Sequence, residues 1–262
     1  MMKNKLKELK TAWAGNTCLC FECLDSTQEY AKILAKKENV HGILICAEEQ
    51  TAGKGRRGRV WTSPKGTAIY MSLCLEPKMQ PDRVAGLTLV MALAAAMGIR
   101  EAVGVDTQIK WPNDLVVNGK KVCGILTEMI FKEDGYVVII GTGINVNTDT
   151  FPEEIRETAT SLKLELGKEI EKETIIVSVM KYFEIFYEQY EKSEDFSLLK
   201  EAYEALLANK DKSVRVLDPK GAYEGVAKGI NDAGNLIVVR EDGSKVEIDS
   251  GEVSVRGIYG YV

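Results

Sequence analysis

In the stretch "LDSTQEYAKILAKK" the apolar positions Tyr30, Ile33 and Leu34 recur at helical spacing, which predicts an amphipathic helix. Ser26 followed three residues later by Glu29 is a capping-box pattern at its start. "GILICAEEQ" and "TAIYMSLCLE" read as buried strands, and Pro81 to Val103 as a largely buried helix. The densest apolar run of that helix, "LTLVMALAAAMG", is too short to span a bilayer. From Val105 onward the pattern turns to strands: "TQIKWP", "DLVV", "VCGILTEMIF" and "YVVIIGTGINVN". Asn118-Gly119 and Asp134-Gly135 are hairpin-turn pairs between them. Helices follow near 152–166, 174–192 and 195–207, the second with Ile176, Val179, Met180, Phe183 and Tyr187 on one side.

Beyond Asn209 the texture changes to short, closely spaced strands: "KSVRVLD", "YEGVAKGI", "NLIVVR", "SKVEI" and "GEVSVRG". Asp218-Pro219, Asp232-Ala233-Gly234 and Asp242-Gly243 mark turns, which together predict a small barrel. The pattern thus divides the chain into 1–209, an α+β domain with a mixed sheet packed by helices, and 210–262, a small β-domain.

A chain of 262 residues accommodates that division. The formal net charge of −5 argues against duplex nucleic acid as the main partner, because phosphate-driven binding needs a broad basic surface. The N-terminus has no continuous apolar signal region, so the reading is cytoplasmic, with no membrane partner. Cys18, Cys20 and Cys23 in "TCLCFEC" lie on a strand-like segment where residues three apart face opposite ways, so they are expected to be core residues. The single histidine, His41, makes a catalytic triad or a multi-histidine metal site improbable.

Against this acidic background stands "QTAGKGRRGRVWTSPKG", with four glycines and five lysines or arginines. Gly53, Gly55 and Gly58 match G-x-G-x-x-G, but the intervening cations and the strand-like text downstream do not suit a dinucleotide fold. No Gly-Lys-Ser/Thr triplet is present either. The physical content is still that of an anion site: glycines let backbone N–H groups approach a phosphate, and arginines neutralise it. A solvated basic loop is the competing reading. In "KWPND", Asn113 and Asp114 offer oxygens suited to Mg²⁺, with Lys110 and Lys121 flanking the turn; taken alone, the stretch reads better as an ordinary Asn-Asp turn with surface lysines.

Taken together, "DSTQEYA", "EEQTAGKGRRGRVWTSPKG", "KWPNDL", "KKVCGILTE" and "GTGINVN" resemble the biotin protein ligases in order and spacing, from about Leu6 onward. The resemblance implies a biotin/lipoate ligase-like catalytic domain with an SH3-like C-terminal barrel. It implies activation of biotin by MgATP to biotinyl-5′-adenylate and transfer to one lysine of a biotin carboxyl-carrier protein, of the acetyl-CoA carboxylase or pyruvate carboxylase type. By the same resemblance, biotin is bound by Ser26, Thr27, Gln28, Gln50, Lys54, Gly55, Arg56, Lys121, Gly124 and Leu126. ATP and adenylate fall to Arg56, Arg59, Trp61, Lys110, Asn113, Lys121 and Asn145, and Mg²⁺ to Asp114 and Asn113. Arg56, Lys110 and Lys121 are the expected catalytic cations. Lys54 stands where the family often has arginine, which turns a bidentate contact into a point charge. About two dozen residues precede Asp25, too few for the DNA-binding module of some members, so a ligase-only form is expected. Members occur as monomers or as homodimers through the catalytic sheet. A lipoate or octanoate ligase, a non-catalytic biotin sensor and a nucleic-acid-binding module are the alternatives.

Overall fold

The computed structural model describes residue 6 and residues 9–218, 221–250, 254–257 and 261–262. All eight residues of β3 (Ala68–Leu75) are buried, as expected of a strand covered on both faces. It lies inside a seven-stranded sheet of order β1-β2-β3-β7-β6-β5-β4. The flanking strands are β1 (Cys18–Phe21), β2 (Leu44–Ala47), β4 (Gln108–Lys110), β5 (Asp114–Val117), β6 (Lys120–Lys132) and β7 (Gly135–Asn145). The β1–β2 pair is parallel and every other pair is antiparallel.

Strand alternation divides the side chains between two faces. Ile69, Met71, Leu73, Val138 and Ile140 join the main core, while Cys74, Val137 and Ile139 turn to the opposite face. There α1 (Thr27–Ala35) covers them with Ala31 and Ala35. On the main face lies α2 (Val84–Val103), crossed by α4 (Lys172–Ser193). Gly86 and Gly98 permit that approach, since a Cβ at Gly98 would sit 2.7 Å from the Val179 backbone nitrogen. By length and apolarity Pro81–Val103 could cross a bilayer, but 72% of its most apolar window is buried inside the fold, as expected of a core helix.

The C-terminal sheet has the order β11-β10-β9-β8-β12 and is wholly antiparallel: β8 (Ser213–Leu217), β9 (Tyr223–Ile230), β10 (Leu236–Val239), β11 (Lys245–Ile248) and β12 (Ser254–Gly257). Its inward residues, Val214, Val216, Leu236 and Val238, share one continuous core with the seven-stranded sheet. Trp111 ties the two together: its Nε1–H donates to the Gly234 carbonyl at 3.0 Å, and its backbone N–H to Asn209 Oδ1 at 2.9 Å.

Several expectations need correction. The helix expected over 195–207 shrinks to α5 (Lys200–Ala205). Asp195 accepts from the Ser197 N–H and hydroxyl and holds a turn at one end. At the other end Ile109 bonds the backbone of Leu206 and Ala208. The 152–166 helix breaks into a 3₁₀ turn, Glu153–Ile155, and α3 (Leu162–Leu166), because Thr158 and Thr160 pair with the Lys121 backbone. Ser26 occupies the N-cap position of α1 without a side-chain cap bond, so the capping box does not form. Cys23 is exposed and Cys18 and Cys20 are only partly buried, contrary to a core placement. The thiols that meet are two apart on one strand face, Cys18 and Cys20 at 3.6 Å, with Cys46 on the adjacent strand 4.0 Å from Cys18. His41 sits in a surface loop against Trp13, ring centroids 4.8 Å apart. Pro219 of the expected Asp218-Pro219 turn and 251–253 of "GEVSVRG" lie outside the described residues.

Candidate active site

Three glycines leave the central strands bare on the α1 side. Gly124 on β6 pairs with Gly143 on β7, and Leu126 pairs with Gly141. A Cβ on Gly141 would lie 2.6 Å from Gln28 Oε1, and one on Gly143 would lie 2.7 Å from the Trp61 ring. The stripe is therefore a floor on which larger groups lie flat. Above it opens a cleft.

At one end of the cleft the start of α1 contributes Ser26, Thr27 and Gln28 in a fixed polar network. Ser72 Oγ–H reaches both Thr27 Oγ1 (2.9 Å) and Gln28 Oε1 (3.1 Å), while Gln28 Nε2–H donates to the Ile139 carbonyl at 3.1 Å. Gln50 completes it, accepting from the Thr27 N–H at 2.9 Å and donating to Ser63 Oγ at 3.1 Å. Side chains held by several bonds present a pre-set pattern to a ligand.

The basic loop closes on itself rather than spreading into solvent. Gly55 N–H donates to the Arg59 carbonyl at 2.8 Å, and Trp61 N–H to that of Gly53 at 2.9 Å. Arg57 (φ 58°) and Gly58 (φ 71°) supply the left-handed corner. The hairpin lays Trp61 over Gly124 and Gly143, with Lys121 Nζ 5.3 Å from the ring centroid. Lys54 pairs with Glu29 at 2.7 Å, and its charge, with that of Lys32, holds the Glu29 carboxyl below its ordinary range.

At the other end Arg56 donates to Asn113 Oδ1 (2.6 Å) and, at 2.7 Å, to the carbonyl of Ser250, which follows β11. Lys121 Nζ lies 2.6 Å from Asp114 Oδ1, and Tyr261 Oη–H donates to Asp114 Oδ2 at 2.5 Å. Lys110 Nζ sits 3.3 Å from the centroid of the Tyr261 ring. Burial depresses its pKa to about 8, only partly opposed by Asp114. Burial also lowers that of Arg56.

Of the residues expected at the site, Ser26, Thr27, Gln28 and Gln50 line the cleft at one end. Lys54, Gly55, Arg56 and Trp61 line it from the loop, and Asn113, Lys121, Gly124 and Leu126 from the sheet. Four do not. Arg59 is exposed, and Asn145 is buried with Nδ2 bonded to the Thr160 carbonyl. Lys110 and Asp114 lie beneath Tyr261. Sequence reasoning missed Ser72, Thr142, Gly141 and Gly143, which also line the cleft. A fully buried serine in an otherwise apolar strand and the alternate glycines of "GTGINVN" were the available signals. Two buried polar atoms at the cleft, Trp61 Nε1 and Thr142 Oγ1, have no hydrogen-bond partner, the pattern of a surface built to bind a polar ligand.

A polar network at a helix start, a glycine floor and a cluster of cations make a site for joining an acid to a phosphate, and residues 20–145 match the Biotin/lipoate A/B protein ligase family. Residues 211–256 match the Biotin protein ligase C terminal domain. The bifunctional ligase/repressor BirA of Bacillus subtilis is 40% identical over 240 residues, covering 90% of this chain and 74% of that protein. The biotin–[acetyl-CoA-carboxylase] ligase of Mycobacterium tuberculosis is 32% identical, over 84% of this chain and 81% of that one. The Aquifex aeolicus biotin protein ligase in complex with biotin and ATP superposes with a TM-score of 0.81 at 32% identity, over 92% of this chain and 99% of that one. The chain belongs to the biotin protein ligase family and is a ligase.

Proposed function

We propose that this protein condenses biotin with ATP to biotinyl-5′-adenylate and passes the biotinyl group to one lysine of a biotin carboxyl-carrier protein in the cytoplasm. The observation that carries the reading is the single cleft running from the Ser26–Gln28 network across the glycine floor to Arg56, Asn113 and Lys121. Family membership and the Aquifex complex favour biotin over lipoate or octanoate.

The bicyclic head of biotin fits the polar end, where Ser26, Thr27 and Gln50 offer donors and acceptors and Gly124 and Leu126 offer backbone groups. Trp61 over Gly124 and Gly143 is placed to stack on the base, and Asn145 lies at the end of the same strand. Biotin supplies its own nucleophile, the carboxylate, so the protein's work is to align two anions and offset their repulsion. Arg56, Lys121 and Lys110 supply the charge. Asn113 and Asp114, linked Nδ2–H to Oδ1 at 3.1 Å, would hold Mg²⁺ through hard oxygens that Arg56, Lys121 and Tyr261 occupy here, and the ion would supply charge neutralisation at the phosphates. Arg56, anchored on the Asn113 turn and on the Ser250 carbonyl, closes the adenylate off from water.

Incubation with MgATP, biotin and an acetyl-CoA carboxylase or pyruvate carboxylase carrier domain tests the proposal. One biotin on one lysine, read by mass spectrometry, is the expected result. An unmodified carrier, or modification only with lipoate or octanoate, would overturn it.

A further inference from the structure

Lys110 and Asp114 are the two members of the nucleotide end that the cleft does not reach, and one side chain near the chain terminus covers both. The Tyr261 ring lies 3.3 Å, centroid to Nζ, over Lys110, which is 6% exposed. The Tyr261 hydroxyl donates to Asp114 Oδ2 at 2.5 Å, while Lys121 already takes Oδ1 at 2.6 Å. Both carboxylate oxygens are therefore engaged, and the Lys110 ammonium faces a π-surface instead of an anion. Burial and the neighbouring Asp114 charge raise the phenol pKa well above its usual value, so Tyr261 keeps the proton it donates. The charged neighbours facing the ring are Asp114, Lys110, Arg59 and Arg256.

An ammonium stacked at this distance has fewer N–H groups to direct at phosphate oxygens, and a cation at Asp114 must compete with the bonds from Tyr261, Lys121 and Asn113. Resting on the proposed function, we infer that Tyr261 is an affinity-setting residue that competes with MgATP for Lys110 and Asp114. It occupies the triphosphate end of the site until the nucleotide displaces it. The contact covers Lys110, which would otherwise be a poorly solvated charge, and adds a donor to Asp114, already ion-paired with Lys121. Displacing it subtracts from the observed nucleotide affinity, because only the uncovered form binds. The biotin end lies outside the contact, so the effect falls on the nucleotide alone.

The test is calorimetric titration of wild type, Tyr261→Phe and Tyr261→Ala with Mg²⁺ and a non-hydrolysable ATP analogue. Losing one desolvated cation–π contact and one charge-assisted hydrogen bond should tighten binding of the Ala variant roughly tenfold. The Phe variant, which keeps the ring, should fall between. Unchanged or weaker binding in Tyr261→Ala would overturn the inference and make Tyr261 a wall of the site. A second readout uses the unaltered chain: amide hydrogen exchange at Tyr261 should speed up with the Mg²⁺–analogue complex present, and equal or slower exchange would contradict displacement. Biotin-dependent ATP–pyrophosphate exchange on the same wild-type sample reports the ligase reading separately.

Discussion

Lys110 is the residue whose charge is most exposed to pH, since burial depresses its pKa to about 8. Protonated below that value, it can neutralise phosphate; above it, the free enzyme loses a cation. The ratio kcat/KM for ATP should therefore fall as pH rises through about 8, the limb that reports free-enzyme groups. Lys110→Arg should move that limb upward, because guanidinium stays charged. A limb that stays in place would assign it to another group. Gly143 carries a second prediction. A Cβ there would lie 2.7 Å from the Trp61 ring, so Gly143→Ala should displace the indole and raise KM for ATP more than KM for biotin. Steady-state kinetics with each substrate varied distinguishes the two. Residue types at this scale were largely legible: Arg56, Asn113 and Lys121 stood out as charged or polar groups in glycine- and proline-marked turns. Ser72 and Tyr261 were not, since only the register of β3 brings Ser72 to the cleft and only the fold brings Tyr261 to Lys110 and Asp114.

At the scale of elements, the α2–α4 crossing depends on small residues. Gly98 Cβ atoms would meet the Val179 backbone at 2.7–2.8 Å, which no rotamer change relieves. Gly98→Ala should cost about 1–3 kcal/mol by overpacking, read as a lower urea midpoint with unchanged slope. An unaltered midpoint would show that the helices shift freely. Strands and long helices were readable because apolar periodicity is local. Helix ends were not: Leu206 leaves α5 to bond Ile109, and 158–160 straighten to pair with Lys121. Both losses come from tertiary hydrogen bonds that outcompete local propensity. The missing capping box has the same origin, with Glu29 drawn away by Lys54 and Lys32.

Across the whole molecule, Arg56 joins the two sheets, bonding Asn113 of the catalytic sheet and the Ser250 carbonyl beside the C-terminal one. Arg56→Gly should open that junction, let adenylate escape and label lysines on bystander proteins. Labelling confined to the carrier lysine would sink this idea. The C-terminal domain thus meets the basic loop through Ser250, a relation that the strand pattern beyond Asn209 could not reveal. If one cleft activates biotin with ATP, ATP–pyrophosphate exchange reads that step itself. With Mg²⁺ and equal concentrations of biotin, lipoate or octanoate, exchange should appear with biotin alone. Exchange with lipoate or octanoate instead, or with none of the three acids, would contradict it.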